Sequence, residues 1–133
     1  MNTLNWGIIG PGSIAHTFAK ALTELNLGRL QAVASRQQSK ADAFAAEYGA
    51  ARAYDSYHAL VNDPEVDIVY IATPQNLHYS HAKLCLEAGK HVLMEKPFTI
   101  NAAQAELLIK LSAAKNLLLQ EALWSRFMPC FAQ

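Results

Sequence analysis

The chain has 133 residues, 52% of them hydrophobic and 17% charged, with eleven lysines and arginines against eleven aspartates and glutamates. That length suits one domain with a sizeable core, and the composition excludes a disordered chain. A neutral chain without a basic run has no electrostatic reason to seek nucleic acid or an anionic membrane, and its apolar stretches, such as Val66 to Ala72, are too short to span a bilayer.

Strand-like and helix-like segments alternate from the start. Leu4 to Ile9 reads as a short strand running into Gly10-Pro11-Gly12, and Ile14, Phe18, Ala21 and Leu22 then recur at helical spacing from Ser13 to about Glu24. Leu30 to Ser35 is expected as a second strand. Ser39 is expected to open a helix through Ala43, Phe44, Ala46 and Glu47, with Asp42 in a cap-like position and Gly49 just past its end. Ala51 to Tyr54 predicts a third strand and Ser56 to Val61 a short helix. The β-branched run Val66 to Ala72 suits a strand buried on both faces. Asn76 to Ala88 predicts a helix stopped by Gly89, and His91 to Met94 a fifth strand. Asn101, with Gln104 three residues on, caps a helix to about Lys115, and Leu117 to Gln120 completes six strands. This alternation implies an α/β fold: a doubly wound, mostly parallel sheet with right-handed crossovers, in one domain. Ligands of such sheets sit outside the carboxyl ends of the strands.

The turn after the first strand, Gly10-Pro11-Gly12-Ser13-Ile14-Ala15, is a G-x-G-x-x-A fingerprint in the setting its mechanism requires, between a strand and a helix. Gly10 permits the tight turn, Gly12 lets a pyrophosphate approach the backbone, and Ala15 lets the helix pack on the sheet. Amides at the helix start, from Ser13 and Ile14, would face the anion with the positive end of the helix dipole. A site selective for NAD carries an acidic residue at the end of the second strand. Here Ala34-Ser35-Arg36 stands there instead. Ser35 and Arg36 suit a 2′-phosphate, Lys40 adds a second charge one helical turn on, and NADP is expected in preference to NAD.

The later motifs are Ala72-Thr73-Pro74-Gln75-Asn76-Leu77-His78 after the fourth strand and Met94-Glu95-Lys96-Pro97 after the fifth. With the fingerprint they resemble the Gfo/Idh/MocA oxidoreductases, and specifically their N-terminal Rossmann domain. Glu121 to Pro129 (EALWSRFMP) is similar to the dimeric dihydrodiol and D-xylose dehydrogenase branch of that family. The resemblance implies that Lys96 is the catalytic residue, holding a substrate hydroxyl or carbonyl beside the nicotinamide, its ammonium shifted toward neutrality by burial. It implies that Glu95 holds the nicotinamide ribose and that Pro97 fixes the turn through a cis bond. It implies that Thr73 and Pro74 line that ribose, that His78 lies at the cleft edge, and that Trp124 and Arg126 border the nicotinamide. Gln75 departs from the asparagine common after Thr-Pro in the family.

His78, His81 and Cys85 also share one helix face, but no motif supplies a fourth ligand, so packing is expected there and no metal. Cys85 and Cys130 stand in no CxxC pair, and the first residues lack the basic and apolar regions of a secretory signal, so a cytoplasmic setting is expected. The resemblance further implies a piece of a longer protein. Residues 1–122 form the dinucleotide-binding domain, and 123–133 begin the connection to an absent C-terminal domain. That domain would supply the pocket for a sugar, cyclic diol or related alcohol or carbonyl substrate, and the contacts of a homo-oligomer. An NADP-dependent oxidoreductase acting on CH–OH groups is the expected parent, the piece alone being inactive. The alternatives are a stand-alone NADP-binding sensor or regulatory module and a nucleotide-free structural domain. Glu95-Lys96-Pro97 favours the first reading, because a sensor needs no lysine at a hydride centre.

Overall fold

In the computed structural model, residues 3–123 are described. The elements in chain order are β1 (Asn5–Ile9), α1 (Ser13–Glu24), β2 (Arg29–Ala34), α2 (Gln38–Tyr48), β3 (Arg52–Tyr54), α3 (Tyr57–Val61), β4 (Ile68–Ile71), a 3₁₀ turn (Gln75–Leu77), α4 (His78–Glu87), β5 (His91–Glu95), α5 (Ala102–Ala114) and β6 (Leu119–Ala122). The strands form one sheet in the order β3-β2-β1-β4-β5-β6, and every neighbouring pair is parallel. The chain therefore winds outward from β1 in one direction and from β4 in the other. Between these two strands successive connections leave to opposite faces and open a crevice at their carboxyl ends.

Two cores follow from the alternation of side chains along each buried strand. Ile8, Leu30, Val33 and Tyr70 face α1 and α2, packing with Ala15, Ala19, Leu22, Ala41 and Phe44. Ile9, Val69, Ile71, Val92 and Met94 point the other way, toward Leu60, Val61, Ala82, Cys85, Leu86 and Leu108 of α3, α4 and α5. Buried alanines let α1 and α2 lie close on the sheet, and full burial of Ala15 matches its place in the fingerprint. On the α1 side of β4, β5 and β6 lies an apolar cavity of about 520 Å³, bordered by Trp6, Phe18, Tyr70, Leu93 and Glu95. Phe18 stacks on Tyr70 there, with ring centroids 4.0 Å apart.

Three helix ends follow clear local signals. Asn101 Oδ1 accepts the Gln104 amide at 2.9 Å, and Ser56 Oγ accepts the Ala59 amide at 3.3 Å. Gly49 closes α2 in the left-handed region at φ 74°. The start of α2 differs from expectation. Gln37, not Ser39, is its N-cap, and Ser39 lies within the first turn. Ser35 Oγ accepts the Gln37 amide at 3.3 Å and turns the chain into the helix before Ser39 is reached. The fourth connection is likewise split, the 3₁₀ turn coming before α4 begins at His78.

Candidate functional site

The crevice at the switch point is walled by Gly10, Pro11, Gly12, Ser35, Arg36, Lys40, Tyr57, Ala72, Thr73, Pro74 and Leu77 and encloses about 230 Å³. A second hollow of about 410 Å³ opens around Ser35, Arg36, Gln37 and Lys40. Residues from the connections after β1, β2 and β4, together with Lys40 of α2 and Tyr57 of α3, thus meet at one place.

The two fingerprint glycines do different work. Gly10 sits at φ +86°, and a Cβ there would stand 2.8 Å from Thr73 Cγ2 and 3.0 Å from the Thr73 nitrogen. The turn and the close approach of β4 both demand glycine. Gly12 has an ordinary extended backbone, φ −92°, and a Cβ there would meet nothing within 4 Å. Its missing side chain leaves space on the crevice side. Gly12 also caps α1 without a side-chain bond, and the first amide to bond back is His16, to the Gly12 carbonyl at 3.2 Å. The amides of Ser13, Ile14 and Ala15 have no acceptor among the described residues. These donors sit at the positive end of α1, whose first turn holds no acidic residue.

At the end of β2, Ser35 is buried while Arg36 and Lys40 are exposed, all three bordering both hollows. No carboxylate is among the residues that wall either hollow. Since Ser35 Oγ accepts the Gln37 amide, its proton is left to donate outward. The glycine turn, a hydroxyl and two cations thus border hollows whose walls carry no carboxylate, an arrangement chemically suited to an anion.

Across the crevice, Thr73 and Pro74 form the opposite wall. Thr73 Oγ1 pairs with His81 Nδ1 at 2.9 Å, and Tyr57 stands edge-on to the His81 ring with centroids 4.7 Å apart. Burial first, and then the neighbouring His78, hold His81 below the ordinary histidine value.

The expectation for His78 needs correction. Its ring does not lie at the cleft edge: it is 1% exposed, with Nε2 2.8 Å from the Thr73 carbonyl oxygen and Nδ1 2.8 Å from that of Pro97. Glu95 differs as well. The Tyr70 hydroxyl donates to Glu95 Oε1 at 2.6 Å and the Lys96 amide to Oε2 at 3.2 Å, and the residue borders the apolar cavity rather than the crevice. Strand parity is the cause. Val92 and Met94 face α4 and α5, so Leu93 and Glu95 face the α1 side.

Lys96 follows β5 directly and the Lys96–Pro97 bond is cis. Its side chain is exposed and has no hydrogen bond or ion pair among the described residues, so these residues do not supply the burial expected around it. Trp124 and Arg126 lie outside the described residues. Gln75, which departed from the family pattern, donates from Nε2 to the Thr99 carbonyl at 3.1 Å. Tyr57 and Leu77 are walls that motif reading missed. Neither carries a local signal, although Leu77 lies within the Thr-Pro to His segment. Among the described residues no three His, Cys, Asp or Glu side chains gather as metal ligands. The face shared by His78, His81 and Cys85 is occupied by the contacts above and by a fully buried thiol.

A doubly wound parallel sheet with a glycine-lined, amide-rich crevice at its switch point defines a dinucleotide-binding domain. The model of the Gfo/Idh/MocA oxidoreductases, described as an oxidoreductase family with an NAD-binding Rossmann fold, matches residues 4–123, and the chain belongs to that family. It is 45% identical to D-xylose 1-dehydrogenase (NADP(+)) of Hypocrea jecorina, over 96% of this chain and 36% of the relative. It is 41% identical to the mouse trans-1,2-dihydrobenzene-1,2-diol dehydrogenase, over 95% of this chain and 38% of that protein. Among solved structures, an NAD binding oxidoreductase from Klebsiella pneumoniae superposes with a TM-score of 0.88 at 34% identity, over 97% of this chain and 36% of the other. A 3-ketoreductase from Actinomadura kijaniata, in complex with NADP and TDP-benzene, superposes with a TM-score of 0.87 at 37% identity, over 91% and 37% of the two chains. The chain thus spans little more than a third of the length of the proteins it matches.

Proposed function

We propose that this chain is the NADP-binding domain of an oxidoreductase that moves hydride between NADP(H) and a sugar, cyclic diol or related alcohol or carbonyl compound. One observation carries the cofactor assignment. The crevice that begins at the Gly10–Gly12 turn runs into a hollow bordered by Ser35, Arg36 and Lys40, with no carboxylate on its walls. The residues present fit the group: Gly12 leaves open space beside free helix amides, as a pyrophosphate requires. On this reading Gly10, Gly12, Ser13 and Ile14 hold the pyrophosphate through the backbone. Ser35 and Arg36, with Lys40, hold the 2′-phosphate, and Thr73 and Pro74 flank the nicotinamide-side ribose.

The cofactor supplies the hydride acceptor or donor. The chain's own chemistry lies at Lys96, whose Nζ holds a substrate oxygen and gives or takes its proton as charge develops there. Glu95 serves this lysine through the backbone amide rather than by touching the ribose. The NADP-dependence and sugar or diol substrates named for the relatives support the reading. A cytoplasmic setting is part of the proposal, as is a small-molecule substrate bound mainly by the remainder of a longer protein, with any self-association.

The test is a titration with NADPH and NADH. NADPH should bind more tightly, and Arg36→Ala should weaken it by roughly ten- to a hundredfold, the loss of a charge-assisted hydrogen bond, with NADH nearly unaffected. Tighter binding of NADH by the unmodified chain overturns the assignment. Equal losses for both cofactors assign Arg36 to adenine stacking instead.

A further inference from the structure

The loops that follow β4 and β5 are bound to each other by side chains. At the start of α4 the buried imidazole of His78 lies between two backbone carbonyls, with Nε2 2.8 Å from Thr73 O and Nδ1 2.8 Å from Pro97 O. Carbonyl oxygens only accept, so each contact is a hydrogen bond when the facing nitrogen carries the proton. Gln75 spans the same gap, its Nε2 donating to Thr99 O at 3.1 Å. Thr73 is thus held through its carbonyl by His78 and through its hydroxyl by His81, while it walls the crevice. The turn carrying Lys96 is held at its amide by Glu95 Oε2 and one residue later, at the Pro97 carbonyl, by His78.

Neither Thr73 nor Pro97 belongs to a strand or helix, so no ladder or helical bond sets the distance between the two loops. A rigid ring can set it: a neutral imidazole donates to one of the two carbonyls at a time and a protonated ring to both, and in either form its fixed shape spans the gap between Thr73 O and Pro97 O. We propose that His78 is a positioning residue, with Gln75 as its exposed auxiliary. It joins the Thr73–Pro74 wall and the Lys96–Pro97 turn into one rigid support for the nicotinamide half of NADP, without touching the cofactor itself. The inference rests on the cofactor reading above and extends it to side chains buried behind the site.

The experiment separates the two halves of the cofactor. Adenosine 2′,5′-bisphosphate presents only the adenosine-side groups, whereas NADPH presents both, and NADPH fluorescence reports the surroundings of the nicotinamide. For His78→Leu, NADPH should bind about three- to tenfold more weakly, the loss of one or two hydrogen bonds, and its bound-state emission should move toward that of free NADPH. The bisphosphate should bind as it does to the unmodified chain. His78→Asn keeps the Nδ1 end of the bridge and His78→Gln the Nε2 end. Each should show the same pattern at smaller amplitude, and they carry the test if the leucine variant does not fold.

Equal losses for both ligands would assign His78 to the fold as a whole and overturn the proposal. Unchanged NADPH affinity and emission in all three variants would overturn it too. If the unmodified chain binds the bisphosphate but shows no nicotinamide signal, the adenosine site stands and the positioning role falls. Binding of neither ligand by the unmodified chain would overturn the cofactor reading itself, and this inference with it.

Discussion

Replacing Gly10 and Gly12 separately by alanine should give opposite results, although both belong to one fingerprint. At Gly10 the added Cβ meets Thr73 Cγ2 at 2.8 Å, the Thr73 nitrogen at 3.0 Å and the Ala72 carbonyl carbon at 3.1 Å. Two of these are backbone atoms at the end of a buried strand and cannot swing away. The φ of +86° adds strain for any L side chain. The backbone strain costs about 1–3 kcal/mol and the overlap about 1–3 kcal/mol, so Gly10→Ala should lose roughly 2–6 kcal/mol of stability. A chain of this size should then melt on the order of 10 °C lower.

At Gly12 neither term applies, since φ is −92° and the new Cβ has no neighbour within 4 Å. Only the weaker N-cap preference of alanine remains, about 1 kcal/mol or less. That methyl group would nevertheless occupy the space through which a pyrophosphate reaches the α1 amides. Gly12→Ala should therefore keep nearly the full melting temperature and lose NADPH affinity by about tenfold or more, where each factor of ten is about 1.4 kcal/mol. Melting curves followed by circular dichroism, with fluorescence titrations of the same samples, measure both quantities. Unchanged NADPH binding by Gly12→Ala would refute the pyrophosphate assignment. A Gly10→Ala variant melting with the unmodified chain would refute the steric argument.

Tyr70→Phe should cost about 2 kcal/mol, because it leaves the buried Glu95 carboxylate without the hydroxyl that donates to it at 2.6 Å. Burial, and then Glu95, push the Tyr70 hydroxyl above the ordinary tyrosine value. The unfolded chain therefore releases this proton first, at about pH 10. Stability from this group is complete below that pH and declines above it. Denaturant unfolding as a function of pH should show a decline in the unmodified chain that is shallower in Tyr70→Phe, and identical slopes would refute the coupling. Burial pushes the Cys85 thiol up to about 12, with Lys90 opposing, so in a Cys130→Ser background it should resist thiol reagents at mildly alkaline pH until the chain unfolds. Prompt labelling of the folded chain would contradict its place in the core. In a form of the protein that turns substrate over, Lys96→Ala should lower kcat by roughly 10²–10⁴ with NADPH affinity little changed. Near-normal kcat would remove Lys96 from the chemistry.

Sequence alone reached the alternation of strands and helices, the fingerprint, the absent acid after β2 and the helix ends at Asn101 and Gly49. These are local facts. A period of two or of 3.6 residues, a left-handed glycine or a side chain bonding an amide three residues on is decided within one or two turns of chain. A doubly wound, mostly parallel sheet also followed, since strands alternating with helices are joined by right-handed crossovers, whereas the order of the strands came from the structure.

Only the tertiary structure decided where the motif side chains go. Glu95 and Lys96 are neighbours in one motif, yet Glu95 turns to Tyr70, 25 residues away in sequence, while Lys96 remains exposed. Parity along Val92, Leu93 and Met94 hinted at this, but which face of β5 holds Tyr70 depends on the pairing of β5 with β4. His78 carried the same composition signal whether it lined the cleft or lay behind it. Its place was fixed by two carbonyls, one five residues before it and one nineteen after, brought together only when β4 and β5 pair. Tyr57 reached the crevice because α3 packs beside α4, a contact no local pattern records. Sequence names the groups able to do chemistry from local rules. The direction each one faces depends on strand pairing and helix packing between distant segments, where the free energy of burial acts on the whole chain at once.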